Sequence, residues 1–285
     1  MDGVIIIDKP QGKTSHDIVA LVRRIFNTRR VGHTGTLDPM ATGVLPICVG
    51  NATKAADMLT AADKRYTAEL ELGKKSDTLD STGEILQTSD VNVSEKEIRE
   101  IIMGFVGEQE QLPPMYSAIK KNGKKLYELA REGVEIEREP RKINIFSIDI
   151  SEINMPFVKI DVHCSKGTYI RSLCDDIGTR AGCGAVMTSL RRTASGVFNI
   201  DDAYTIDELE NASDKMLLST DSLFSDLPEI RLNEKQERSI VNGVRMTWRN
   251  GTEGETYRVY GHDGRFLCIS RLTDMRLVLV KAFWT

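Results

Sequence analysis

The stretch Gly32-His33-Thr34-Gly35-Thr36-Leu37-Asp38-Pro39-Met40-Ala41-Thr42-Gly43 carries one carboxylate among turn-forming and hydroxyl residues. Gly32, Gly35 and Gly43 open backbone angles that side chains forbid. Pro39 fixes its own φ and pushes Asp38 out of the helical region. Val44-Leu45-Pro46-Ile47-Cys48-Val49 follows, an apolar run that reads as a buried strand. A loop anchored on such a strand holds its carboxylate ready to act on something outside. An isolated Asp-Pro turn would instead bond its own backbone. The buried strand beside it weighs against that reading.

Upstream, Gly3–Asp8 is β-branched and reads as a short strand, and Lys9-Pro10-Gln11-Gly12 as a turn. Ser15 is placed to cap a helix running through Phe26, with Asp17 in its positive first turn and Ile18, Val22, Ile25 and Phe26 on its apolar face. Arg23, Arg24, Arg29 and Arg30 gather at its end. They are either a solvated C-terminal turn or phosphate contacts near the Asp38 loop.

Downstream, Lys64–Gly73 alternates, with Tyr66, Ala68, Leu70 and Leu72 on one face. That predicts a half-buried strand. Lys74–Gly83 is polar and reads as a loop. Ser94 and Glu97 form a capping box ahead of a helix bearing Ile98, Ile101 and Ile102. Lys120, Lys121, Lys124 and Lys125 surround Asn122-Gly123, a hairpin-turn signal, and Leu126–Arg131 is helix-like. With Tyr116 and Tyr127 nearby, this hairpin suits an RNA backbone and splayed bases, or it is a solvated charged turn. Val158–Cys164 alternates again, and Ser165-Lys166-Gly167-Thr168 breaks the strand. A helix then carries Ile170, Leu173, Cys174 and Ile177 inward, with Tyr169 and Arg171 at its start. Arg171 could pair with Asp175, four residues on.

These blocks together resemble a known family. GHTGTLDPMATGVLPICVG is similar to the active-site motif of the tRNA pseudouridine-55 synthases of the bacterial TruB type. DKPQGKTSHD, KRYTAELELG and CSKGTYIRSLCDDIG match further family blocks in order, and PPMYSAIKKNGKKLYELAREG is similar to another segment. Ordered long motifs are far more specific than one short pattern. The resemblance implies Asp38 as the nucleophile, Arg171 as the guanidinium that keeps it ionised, and Tyr66 as the active-site tyrosine. Its phenol would stack on uracil and could take a proton from the sugar. Tyr169 and Leu190 match further pocket positions, and Lys9 and Pro10 a supporting turn. His33 matches the position that fills the gap left by a flipped nucleotide. Whether the aspartate attacks base or sugar stays open.

Composition sets the bounds. The chain has 285 residues and a net charge of −4. Residues 200–227 hold eight acidic residues and one lysine, net −7, while residues 228–285 are net +3. Charge is segregated, so a local basic groove can exist on an acidic protein. Five widely spaced cysteines and four histidines form no zinc-ligand pattern. The expectations are buried free thiols, a reducing cytoplasm, no signal segment and no membrane span.

Pseudouridylation is redox-neutral and needs no energy source. The absence of a Walker loop, of a dinucleotide fingerprint and of a metal cluster agrees with an expectation of no cofactor and no metal. The expected fold is α+β. A mixed, largely antiparallel pseudouridine-synthase sheet carries helices, and a small β-rich PUA-like C-terminal domain follows. Residues 1–227 would form the catalytic domain, with an RNA-contacting insertion at about 74–140 and an acidic connector at about 200–227. Residues 228–285 would form the RNA-binding domain. The expected partner is the tRNA T-arm stem-loop, with no guide RNA, the protein acting as a monomer. Two rival classes are a non-catalytic RNA-binding protein and a carbohydrate hydrolase. The latter would need a second carboxylate such as Asp77 or Asp80.

Overall fold

The computed structural model describes residues 2–121, 123–212 and 216–284. From the amino end run β1 (Gly3–Lys9), α1 (Ser15–Ile25), β2 (Val31–His33), β3 (Thr42–Val49) and α2 (Ala56–Thr60). Next come β4 (Lys64–Leu72), β5 (Lys74–Ser76), β6 (Ile85–Thr88), α3 (Glu95–Met103) and β7 (Gly107–Gln111). The lysine hairpin is β8 (Lys120–Lys121) and β9 (Lys124–Lys125), followed by α4 (Leu126–Arg131). Then follow β10 (Arg141–Asn154), β11 (Phe157–Cys164), α5 (Ile170–Arg180), β12 (Ala185–Ser195) and β13 (Phe198–Asn199). The remainder holds α6 (Ile206–Ala212), β14 (Glu229–Arg231), α7 (Glu234–Val241), β15 (Met246–Thr247), β16 (Thr256–Tyr260), β17 (Phe266–Thr273) and β18 (Arg276–Ala282).

These elements fall into two units. The first comprises Met1–Asp38, Val44–Ala61 and Val197–Thr285. β1 lies beside β3, and β2 pairs antiparallel with β3. The acidic connector is not loose. Leu218 and Tyr204 exchange backbone hydrogen bonds with β1 at Val4, Ile6 and Asp8. A five-stranded sheet, ordered β14-β16-β17-β18-β15, forms the C-terminal part. One apolar cluster joins the two ends of the chain: Val4, Ile6, Val44 and Cys48 pack with Phe224, Ile269 and Phe283.

The second unit comprises Pro39–Gly43 and Ala62–Gly196. Its strands run β12-β4-β11-β10-β7, antiparallel throughout. Thr42 and Gly43 add a short parallel pairing with Arg191 and Arg192, which makes the sheet mixed. The alternation of β4 turns Ala68, Leu70 and Leu72 into the core. α5 packs on β12 and β4 through its apolar face. Burial of each leucine or isoleucine among them stabilises by about 1.5–3 kcal/mol.

Two local expectations change. Ser15 is not the cap of α1. Thr14 is, because Thr14 and Asp17 form a reciprocal capping box one residue earlier, and Ser15 becomes the first helical residue. Lys74–Gly83 is not all loop. Gly73, at φ +87°, turns the chain so that Lys74–Ser76 pairs with Ile85–Thr88. In the lysine hairpin Lys120 pairs with Lys125 and Lys121 with Lys124. Asn122 itself lies outside the described residues.

Candidate active site

In the first unit the Asp38 loop is fixed from both sides. The capping box starts α1 at a defined residue, which places the Ser15 hydroxyl in the interior. Ser15 Oγ accepts from the Leu37 N–H at 2.8 Å and donates to the Leu37 carbonyl at 3.0 Å. On the other side the Thr34 N–H bonds the Pro46 carbonyl of β3 at 3.1 Å. His33 Nδ1 accepts from the Gly35 N–H, and its ring stands edge-on to His16 with centroids 6.2 Å apart. Asp38 is half-buried and Pro39 is exposed. Lys9 is fully buried, and its ammonium donates to the carbonyls of Pro10 and Lys13 at 2.9 and 2.6 Å. That lysine holds the turn before α1.

Gly43 ends the loop in the second unit. Its φ is +100°, and a Cβ there would sit 2.2 Å from the Arg192 carbonyl oxygen. Only glycine allows this approach of two backbones.

The second unit holds the other expected site residues. Tyr66 on β4 lies opposite Val162 of β11 and Arg192 of β12. Leu190 lies opposite Ala68. Tyr66, Leu190 and Arg192 therefore share one sheet face. Tyr66 is half-buried, while Leu190 and Arg192 are buried. Lys64 lies two residues before Tyr66, in phase with it. Burial and the Arg192 charge lower its ammonium to about 8.

Tyr169 is the residue that caps α5, and Arg171 lies in its first turn. Arg171 does not need Asp175. Its guanidinium donates to the carbonyls of Thr78 at 3.0 Å and Tyr116 at 2.7 Å, and lies 3.6 Å from the Asp80 carboxylate. Both members of that ion pair are only 6% exposed. Asp80 also accepts from the hydroxyls of Thr78 and Thr82 and from the Thr82 N–H. Tyr116 donates its hydroxyl to Asp77, and burial together with that bond raises its phenol. Gln111 bonds the backbone of Tyr169 twice.

The structure thus groups Lys9, His33 and Asp38 in one unit and Tyr66, Tyr169, Arg171 and Leu190 in the other. Sequence reasoning missed the roles of Ser15, Lys64, Asp80, Gln111 and Arg192 in this framework. For Lys64 and Arg192 a signal existed: each is a cation in the apolar phase of its strand. Among the described residues one group, Glu237, His262 and Asp263, brings three ligand-type atoms within 4.8 Å. Arg265 already donates to Glu237 there, which opposes a cation. A carboxylate on a doubly anchored loop can serve as a nucleophile.

Comparison with known proteins gives the family. Residues 23–170 match the N-terminal domain of TruB family pseudouridylate synthases, and residues 171–225 match the tRNA pseudouridylate synthase B C-terminal domain. The tRNA pseudouridine synthase B of Clostridium acetobutylicum is 48% identical over 286 residues, covering 99% of each chain. That of Haemophilus influenzae (strain ATCC 51907) is 45% identical, covering 88% of this chain and 83% of its own. Among solved structures, an archaeal box H/ACA Nop10–Cbf5 complex contains a chain with TM-score 0.72 and 26% identity, covering 99% of this chain and 86% of that one. An H/ACA particle bound to a substrate RNA containing 2'-deoxyuridine has a TM-score of 0.75 at 24% identity, covering 99% and 85%. The α+β pseudouridine-synthase fold is therefore established. The chain belongs to the TruB family of pseudouridylate synthases, which are isomerases.

Proposed function

We propose that the protein converts uridine 55 in the T loop of tRNA to pseudouridine, acting as a monomer in the cytoplasm without a guide RNA. The observation that carries this reading is Asp38 on a loop that Ser15 and Pro46 hold rigid. The reaction breaks the bond between C1′ and N1, forms one between C1′ and C5, and moves a proton from C5 to N1. Nothing is oxidised or reduced. The uridine leaves its stack at a cost of a few kcal/mol. His33 fills the vacated space, Asp38 attacks base or sugar, and Tyr66 stacks on the uracil. Arg171 keeps the carboxylate ionised, Tyr169 and Leu190 wall the pocket, and Lys9 supports it. The lysine hairpin meets the T-arm backbone, and residues 228–285 act as a PUA-like RNA-binding domain behind the catalytic region of residues 1–227.

The test is tritium release from 5-tritiated uridine in bare tRNA. Release from wild-type tRNA, lost when uridine 55 is replaced, is expected. No release without added guide RNA would overturn the reading. A non-catalytic RNA binder would bind the same tRNA and release nothing.

A further inference from the structure

One remote segment, residues 111–116, bonds the start of α5 at Tyr169, Arg171 and Ser172. A helix leaves its first N–H groups without intrahelical partners. Tyr169 occupies the cap position of α5, and its side chain makes no capping bond to the helix. Gln111, the last residue of β7 and 4% exposed, meets it instead. The Tyr169 N–H donates to Gln111 Oε1 at 2.8 Å, and Gln111 Nε2 donates to the Tyr169 carbonyl at 3.0 Å. That carbonyl also takes the first helical bond, from Leu173 at 3.1 Å. Residues just beyond Gln111 hold the next positions. The Leu112 carbonyl accepts from the Ser172 hydroxyl at 3.3 Å, and the Tyr116 carbonyl from Arg171.

We infer that Gln111 is a positioning residue for the reaction: its side-chain amide acts as a two-bond clamp that sets the first turn of α5, and with it Tyr169 and Arg171. The inference rests on the roles proposed above for those two residues. A single amide can do this because it presents a donor and an acceptor side by side, matching the N–H and carbonyl of one extended residue. A carboxylate offers only acceptors, and a thioether offers no donor and only a weak acceptor. β7 leads directly into the lysine-bearing segment, so the clamp also lies where that segment joins the helix that carries Arg171.

The experiment compares Gln111→Met, Gln111→Glu and the unaltered protein. Three quantities are read: single-turnover rate at saturating tRNA, tRNA affinity, and hydrogen exchange of the Tyr169 amide by NMR on the free protein. Expected for Gln111→Met is a rate loss of about ten- to a hundredfold, the scale of a small misplacement of reacting groups. Affinity should stay within about threefold, and Tyr169 should lose protection. For Gln111→Glu the rate relative to the unaltered protein should climb as pH falls, because a protonated carboxyl regains a donor for the Tyr169 carbonyl. Lost protection with an unchanged rate overturns the positioning role, and retained protection overturns the clamp. A rate loss matched by an equal loss of folded protein or of affinity also overturns it. Inactivity of the unaltered protein would refute the proposed reaction, while the exchange measurement decides the clamp on its own.

Discussion

Ser15 and Leu37 are joined by a reciprocal pair of hydrogen bonds through one hydroxyl, at 2.8 and 3.0 Å. Leu37 is 3% exposed and immediately precedes Asp38. The backbone on the N-terminal side of the carboxylate is therefore tied to the first turn of a capped helix. Ser15→Ala leaves the Leu37 N–H and carbonyl without this partner. The expected cost is about 1–3 kcal/mol of stability, read from urea midpoints, with a rate loss that exceeds any change in RNA affinity. A Ser15→Ala protein with unaltered midpoint and rate would show that the loop holds itself.

Asp38→Asn keeps the shape of the side chain and removes its charge. Turnover should fall by at least about 10³-fold, the scale of deleting a nucleophile. RNA affinity should barely move. Tritium release near the wild-type rate would end the assignment.

Arg171→Lys should not be conservative. The guanidinium fork reaches two carbonyls from different loops as well as Asp80, which an ammonium cannot do together. Single-turnover rate and thermal midpoint should both drop. Asp80→Ala should cost about 3–5 kcal/mol by taking one carboxylate away from a buried guanidinium. A loss below about 1 kcal/mol, measured by denaturant unfolding, would mean that the other partners of Arg171 suffice.

Gly43→Ala should be among the most damaging small substitutions. The added methyl meets the Arg192 carbonyl at 2.2 Å, and φ is +100°. The backbone alone should cost about 1–3 kcal/mol, and relief of the clash would pull the loop off β12. Reduced midpoint and reduced rate are both expected, and Gly12→Ala, at φ +83° with nothing within 4 Å of its Cβ, should show the backbone cost without the clash.

The Glu237–His262 pair predicts a pH window. His262 Nδ1 lies 2.7 Å from Glu237 Oε2, and that bond raises the imidazole above 6.5 and holds the carboxyl below 4.5. The histidine contribution is full below its unfolded value and disappears as pH rises through the raised one. The glutamate contribution is full above its unfolded value and disappears as pH falls through the lowered one. His262→Asn should therefore destabilise most between those limits, near pH 5.5, and little near pH 9. Chemical denaturation at the two pH values checks this, and equal losses at both would remove the ion pair from the account.

Much of this architecture is legible in local pattern. The alternation of Tyr66, Ala68, Leu70 and Leu72 identifies β4 and its buried face, and Ser94 with Glu97 marks the start of α3. The Asp38 loop can be read as anchored because an apolar strand follows it. The partners of Arg171 leave no such trace. They are backbone carbonyls 93 and 55 residues away, and a carbonyl has no letter in the sequence. The Ser15 hydroxyl likewise looks like a cap until Thr14, one position earlier, wins the box. Pairing of Val4 with Leu218 is long-range and equally silent.

The shared cluster of Val4, Ile6 and Phe283 has a consequence for how the protein is born. Translation delivers Ala62–Gly196 as a continuous run, so that region can begin to fold while the ribosome is still working. The unit carrying Asp38 has no such schedule. Its nascent strands must wait, apolar faces open, until Ile269 and Phe283 have been made. Loss of Ile269 and Phe283 would leave the unit that bears Asp38 without its closing layer, and quality-control proteases, rather than lost chemistry, would be the first to register it.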